Sequence, residues 1–186
     1  MFSIVSREEP VQVNTIPIGF NIETLFNYKG FLYIGSRNGM FIHGIDNPKK
    51  PYYIFDLQHF TVLYPVVANN THAFVTLHTN IGCGTNINVL EIYDVTNPLL
   101  ISSRNLTRPI GLGLYNNYSF VCNNEVKVFD ISNPDDEQLV SAINVNSFDV
   151  IIRNGTLFLI RENGLYQYSL DSNDITNIAA LSTINI

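Results

Sequence analysis

The chain has 186 residues, an apolar fraction of 46%, an aromatic share of 12% made of Phe and Tyr without Trp, and a formal net charge of −6. That composition supports one packed domain or a short array of repeats and argues against disorder. The acidic balance, with Lys49-Lys50 as the densest basic run, repels phosphate backbones and argues against a nucleic-acid partner.

Met1 to Pro10 shows no basic segment followed by an apolar run, and no stretch approaches the roughly 20 apolar residues of a membrane span. A soluble chain with no signal peptide and no membrane span is expected. Val11 to Ile18 then reads as a lone extended segment. Glu23 to Tyr28 leads through a Lys29-Gly30 turn into Phe31 to Ser36, breaks at Arg37-Asn38-Gly39, and resumes as Met40 to Ile45. Asn-Gly between apolar runs is a hairpin signal, because both residues accept positive φ. Asn47-Pro48 stops that strand, since Pro cannot donate to a ladder, and Tyr52-Tyr53-Ile54-Phe55 follows as an outer strand.

The same order recurs three times. The second unit uses Pro65 to Ala68, Ala73 to Leu77, Asn88 to Val95 and Leu99 to Ser103, with a long loop from His78 to Ile87. Ile110 to Tyr115, Tyr118 to Cys122, Val126 to Ile131 and Gln138 to Ala142 make the third; Phe148 to Ile152, Leu157 to Ile160, Gly164 to Leu170 and Ile178 to Leu181 make the fourth. A shared phrase punctuates these units: Gly44-Ile45-Asp46-Asn47-Pro48, Asp94-Val95-Thr96-Asn97-Pro98, Asp130-Ile131-Ser132-Asn133-Pro134 and a degenerate Leu170-Asp171-Ser172-Asn173. Its Asn residues are spaced by 50, 36 and 40 positions, around the length of a four-stranded propeller blade. No helical period interrupts the strands. The expected class is all-β, a β-propeller-type array of about four four-stranded blades forming one domain. Blades are expected at 19–60, 61–108, 109–146 and 147–186. Residues 1–18 are left as the orphan outer strand of an incomplete blade. That strand implies either a piece of a longer propeller or pairing with the last sheet of the same or another copy, and an open arc exposes edges that favour homo-oligomers.

The phrases resemble the LVIVD-repeat family, bacterial surface proteins of propeller type. Gly19 to Phe26, Ile34-Gly35-Ser36, Pro65-Val66-Val67, Gly111-Leu112-Gly113, Phe120-Val121-Cys122, Asp130 to Pro134 and Gly164 to Tyr168 carry the likeness. The resemblance implies an exported, cell-envelope or extracellular setting, although no signal peptide or lipidated cysteine is present here. Relatives carry Cys-Asp before Pro-Val-Val, where this chain has Leu63-Tyr64, so a disulfide from that position to Cys83 is not available.

Candidate sites concentrate in two places. The loop of the second unit gathers His78, Asn80, Cys83 and Asn86, with His72 and His59 nearby in sequence. His78, Cys83 and His59 suggest a metal site, but their spacing matches no zinc pattern, so a hydrogen-bonded binding loop is expected, with no metal and no cofactor. Glu23, Asp149 and Arg153 fall on or beside innermost strands, where one face lines a channel; solvation is the simpler role for them and acid–base work the sharper one. Gly35 to Gly39 precedes a strand and is no nucleophile elbow, and Gly111-Leu112-Gly113 lacks the helix that phosphate binding needs and reads as close strand packing. The Asp-x-Ser/Thr-Asn-Pro phrase is expected to cap turns rather than hold calcium. Tyr52, Tyr53 and Phe55 are expected to pack between blades. Asn-x-Ser/Thr matches at Asn69, Asn105, Asn117 and Asn154 follow from the abundance of Asn, and Cys83 and Cys122 are either free or bridged. A non-enzymatic scaffold or binding module for protein or carbohydrate is the first expectation; a hydrolase- or lyase-type enzyme with channel-facing Glu, Asp and His is the alternative.

Overall fold

The computed structural model describes residues 1–6, 8–18, 21–37, 39–58, 63–78, 88–97 and 99–186. Among these there is no helix. β1 (Phe2–Ser3) and β2 (Val11–Gln12) pair antiparallel as a short ribbon, so Val11 meets Ser3 rather than the edge of a larger sheet.

Four antiparallel four-stranded sheets follow. The first is β3 (Ile22–Tyr28), β4 (Phe31–Ser36), β5 (Gly39–Gly44) and β6 (Tyr52–Gln58). β7 (Leu63–Ala68), β8 (His72–His78), β9 (Asn88–Asp94) and β10 (Leu99–Asn105) form the second. The third contains β11 (Gly111–Tyr115), β12 (Tyr118–Cys122), β13 (Val126–Asp130) and β14 (Gln138–Ile143). The fourth contains β15 (Asp149–Arg153), β16 (Thr156–Arg161), β17 (Gly164–Leu170) and β18 (Ile178–Asn185).

Local chemistry explains why each sheet is a meander. Lys29 and Gly30 take φ of 47° and 82°, and Asn154 and Gly155 take 51° and 71°, the double positive φ of a type I′ hairpin. Asn154-Gly155-Thr156, which matches a glycosylation pattern, is thus first of all a turn. The Asp phrase then ties the end of the third strand back to that hairpin. Ile45, Val95, Ile131 and Leu170 donate their N–H groups to the carbonyls of Gly30, Thr71, Asn117 and Gly155. Asp94 Oδ1 accepts the Thr96 N–H and hydroxyl at 2.7 Å each, Asp130 Oδ1 accepts the Ser132 N–H at 2.8 Å, and Asp171 Oδ1 accepts the Asn173 N–H at 2.8 Å. The phrase caps turns, as its residues imply. In every sheet the outermost pair of strands carries a register shift, at Ile42/His43, Leu100/Ser102, Val128/Phe129 and Gln167/Tyr168, which adds twist toward the rim.

Successive sheets stack face to face through three apolar layers. Tyr33, Met40, Ile42, Val66, Val75 and Leu77 fill the first junction, Phe74, Leu90, Ile92, Val121 and Phe129 the second, and Phe120, Val126, Val128, Leu157 and Leu159 the third. The innermost strands touch in series, β3 to β7, β7 to β11 and β11 to β15, and no strand of the fourth sheet touches the first among the described residues. The result is a propeller-like arc that does not close on itself. Phe55 packs on the first layer as expected, with Ile54 and Leu57 of the same strand, but Tyr52 and Tyr53, at the start of β6, do not pack between blades: both are exposed.

Candidate functional site

β3, β7, β11 and β15 present one edge each to a central cavity of about 590 Å³. Its wall mixes apolar side chains, among them Leu25, Val66, Leu112, Val150 and Phe148, with a nearly equal polar surface to which Thr24 contributes and of which Glu23 and Asp149 are the carboxylates. Both acids sit at the N-terminal ends of inner strands, the same end of the sheets that carries the β4–β5 and β8–β9 connections. His78 and Asn88, paired across β8 and β9, mark this end in the second sheet.

Glu23 is an exposed residue whose carboxylate meets Arg37 Nε at 3.1 Å. Asp149 is half-buried; burial pushes its carboxyl above the usual range, and the Val150 N–H, at 2.8 Å from Oδ1, partly offsets this. Arg153, at the far end of β15, does not line the cavity. Behind Asp149 lies Cys122, fully buried, a free thiol pushed up to about 12 by burial, with Ser147 partly offsetting the shift and the Asp149 charge adding to it. A thiol held there is protonated and enclosed, and has no role as a nucleophile at neutral pH.

The close approach that builds this wall depends on Gly111. A Cβ at that position would stand 2.8 Å from the Asp149 Cα and 3.0 Å from Cys122 Sγ. Gly111-Leu112-Gly113 is therefore strand packing at the axis. His72 and His78 stand at opposite ends of β8, roughly 20 Å apart for an extended seven-residue strand, so they cannot share a ligand. His78 is buried. His59, Asn80, Cys83 and Asn86 lie outside the described residues. Among the described residues no three His, Cys, Asp or Glu side chains cluster as metal ligands.

Three polar groups escaped the sequence reading because nothing in their local pattern marks them. Glu137, in the connection from β13 to β14, is 2% exposed yet charged; it accepts Arg104 Nε at 2.7 Å and the Ser102 hydroxyl at 2.8 Å, and the Arg104 guanidinium lies over the Phe129 ring at 5.5 Å. This latch joins the outer strand of the second sheet to the third. Tyr93 donates its hydroxyl to Glu91 inside the first junction, and burial raises the Tyr93 pKa. His43 is buried against the Tyr53 ring, and burial lowers its pKa. At the opposite end of the sheets, a smaller cleft of about 290 Å³ lies between Tyr28, Phe31, Ile54 and Asn70, with the Tyr28 hydroxyl donating to Asn70 Oδ1 at 3.1 Å.

No family model matches this chain, and no curated protein matches it. Solved structures do. The chain is similar to a protein of unknown function from Desulfotomaculum acetoxidans, with a TM-score of 0.57 and 10% identity, covering 92% of this chain and 72% of that one. It is similar to a chain of the mitotic checkpoint complex, with a TM-score of 0.66 and 12% identity, covering 89% of this chain and 53% of that one. A computationally designed protein matches with a TM-score of 0.59 and 9% identity, over 92% of this chain and 98% of its own. At such identities the likeness shows the fold alone, all-β and propeller-like. No helix among the described residues is long and apolar enough to cross a membrane.

Proposed function

We propose that this chain is a non-enzymatic propeller-type scaffold or binding module that engages a protein or carbohydrate through the mouth of the central cavity and its blade-end loops. The single observation that carries the reading is how the mouth is wired. Glu23 is occupied by Arg37, Asp149 is held by the neighbouring N–H, and the thiol behind them is suppressed, in a wall that mixes apolar side chains with polar surface. Such a concave surface, whose carboxylates are each already engaged, suits recognition more than bond breaking. The LVIVD-repeat resemblance supports placing it at the bacterial cell envelope. A closed propeller, with copies associating through exposed edges, belongs to the same reading. The hydrolase- or lyase-type alternative draws on one observation, the raised pKa of Asp149 at the cavity.

The test is recovery of bound ligand. The chain is incubated with a panel of envelope oligosaccharides and proteins, and bound material is analysed by mass spectrometry. Ligands retained intact, with retention weakened by Phe148→Ala at the mouth, are the expected outcome. Ligands returned cleaved, with cleavage abolished by Asp149→Asn or Glu23→Gln, would establish the enzyme instead.

A further inference from the structure

Beside the central cavity, at the mouth end of the fourth sheet, lies a second cleft of about 310 Å³, more polar than apolar, between Asn146, Phe148, Arg161, Glu162 and Asn163. The two spaces are neighbours, since Phe148 lines both and is 48% exposed. The connection into β15 is pinned to the end of β16. The Phe148 N–H donates to the Ile160 carbonyl at 2.8 Å, and the buried Ser147 hydroxyl donates to the same oxygen at 2.9 Å. That holds the Phe148 backbone at the rim the two spaces share.

Arg161, at the end of β16, is fixed by two contacts. Its Nε donates to the Asn146 carbonyl at 3.1 Å, and its guanidinium carbon stands 4.7 Å from the centre of the Tyr166 ring. Neither contact neutralises the charge. Arg37 engages Glu23 and Arg104 engages Glu137, but Arg161 has no carboxylate within ion-pair distance among the described residues. With Nε committed, its two Nη groups still present four N–H donors in one plane. A chain of net charge −6 thus keeps an oriented, unpaired cation in a cleft that adjoins its main cavity.

What fits such a cleft is a carboxylate set among hydroxyls. The planar Nη fork matches a carboxylate through two parallel hydrogen bonds. The amides of exposed Asn146 and Asn163 each bring donors and an acceptor, and the exposed Glu162 carboxylate only accepts. Those groups suit hydroxyls, which both donate and accept, and Glu162 disfavours a densely anionic ligand such as a polyphosphate. The Phe148 ring supplies an apolar face for the C–H side of a sugar ring. The volume, at the small end for ligand sites, suits one such ring. None of the lining residues lies on an unpaired strand edge, since β16 is paired on both sides, so an extended acidic peptide finds no edge to join there.

We infer that this cleft is the subsite for one hexuronate residue of an acidic glycan, with Arg161 holding its carboxylate, Phe148 meeting its ring, and the glycan continuing into the central cavity. The inference rests on the reading of the mouth as a recognition surface and narrows its ligand to an acidic carbohydrate.

Isothermal titration calorimetry on the full chain tests this, with hexamers of galacturonate, glucuronate and mannuronate, each beside its methyl ester, which keeps the ring and removes the charge. At least one acid should bind about 10-fold or more tighter than its ester, the effect of a charge-assisted pair. Arg161→Gln should erase that preference, and Arg161→Lys should keep only part of it, because an ammonium lacks the fork. Arg153→Gln, at the far end of β15 and outside both spaces, should retain it in full. A preference that survives Arg161→Gln overturns the inference, as does equal binding of acid and ester, or tighter binding of hexaglutamate than of any uronate. Binding of no uronate also refutes the subsite, and the ligand-recovery panel then judges the broader reading separately: an intact protein or neutral glycan retained there leaves the mouth as a recognition surface, and nothing retained removes both.

Discussion

The junction between the second and third sheets and the junction between the third and fourth reach the same end by different chemistry. The former has an apolar layer around Phe74 and Phe129, closed at the rim by the Arg104–Glu137 latch. At the latter there is no such ion pair among the described residues; Gly111 lets the inner strands meet almost backbone to backbone, Gly113 makes room for the Val150 and Ile152 side chains, and Cys122 fills the space behind Gly111. A polar latch tolerates changes in backbone spacing but not loss of a partner, whereas a close approach tolerates loss of a charge but not an added carbon. The pattern teaches that equal repeats need not have equal vulnerabilities.

The largest break should come from Arg104→Ala. It leaves the Glu137 carboxylate buried without its cation and removes the stacking on Phe129. The loss should reach about 3 kcal/mol, the low end for a broken buried pair because Arg104 is itself partly exposed. At this chain length that is a fall of roughly 6–12 °C in Tm, measured by thermal unfolding. Glu137→Ala should cost less, about 1 kcal/mol, because the orphaned guanidinium can turn to water; equal costs would mean the latch is not what holds this junction. Next comes Gly111→Ala, whose Cβ meets the Asp149 backbone; about 2 kcal/mol is expected from chemical denaturation.

Gly113→Ala sharpens the comparison. Its Cβ would meet only the methyl ends of Val150 and Ile152, at 3.3 Å, so a cost under about 1 kcal/mol is expected, and a cost equal to that of Gly111→Ala would refute the backbone-contact argument. The smallest effect is the pH dependence of Asp149. Its native pKa is raised by burial, so the unfolded chain releases this proton first, and stability falls as pH rises from the ordinary Asp value through the raised native one. Asp149→Asn should flatten that fall in stability measured across the mildly acidic range. An unchanged slope would mean that solvent reaches the carboxylate freely.

Much of the architecture is legible in the residues. Lys29-Gly30 sets a hairpin by φ alone, and Asp94 and Asp130 cap their turns with local hydrogen bonds, so the phrase that marks the repeats is also what builds them. Alternation places Val150 and Val66 toward a neighbour and leaves Ile151 on the other face, a period-2 consequence that needs no tertiary information. Glu23 and Asp149 are legible as channel-facing for the same reason. Their partners are not, because Arg37 reaches Glu23 only after β3 and β4 pair, and the Asp149 environment depends on β11 lying against β15.

The sequence by itself determined the all-β class, the four four-stranded sheets, the hairpin turns and the caps, since each is decided by φ preference, strand period or a hydrogen bond spanning two or three residues; it did not foresee the β1–β2 ribbon. Tertiary structure alone decided which carboxylates carry a partner, that Glu137 is buried, that Cys122 is an inert thiol, and that the arc stays open between the first and fourth sheets. Those outcomes depend on distances between residues far apart in the chain, and burial and Coulomb energy follow that spacing, not the order of residues.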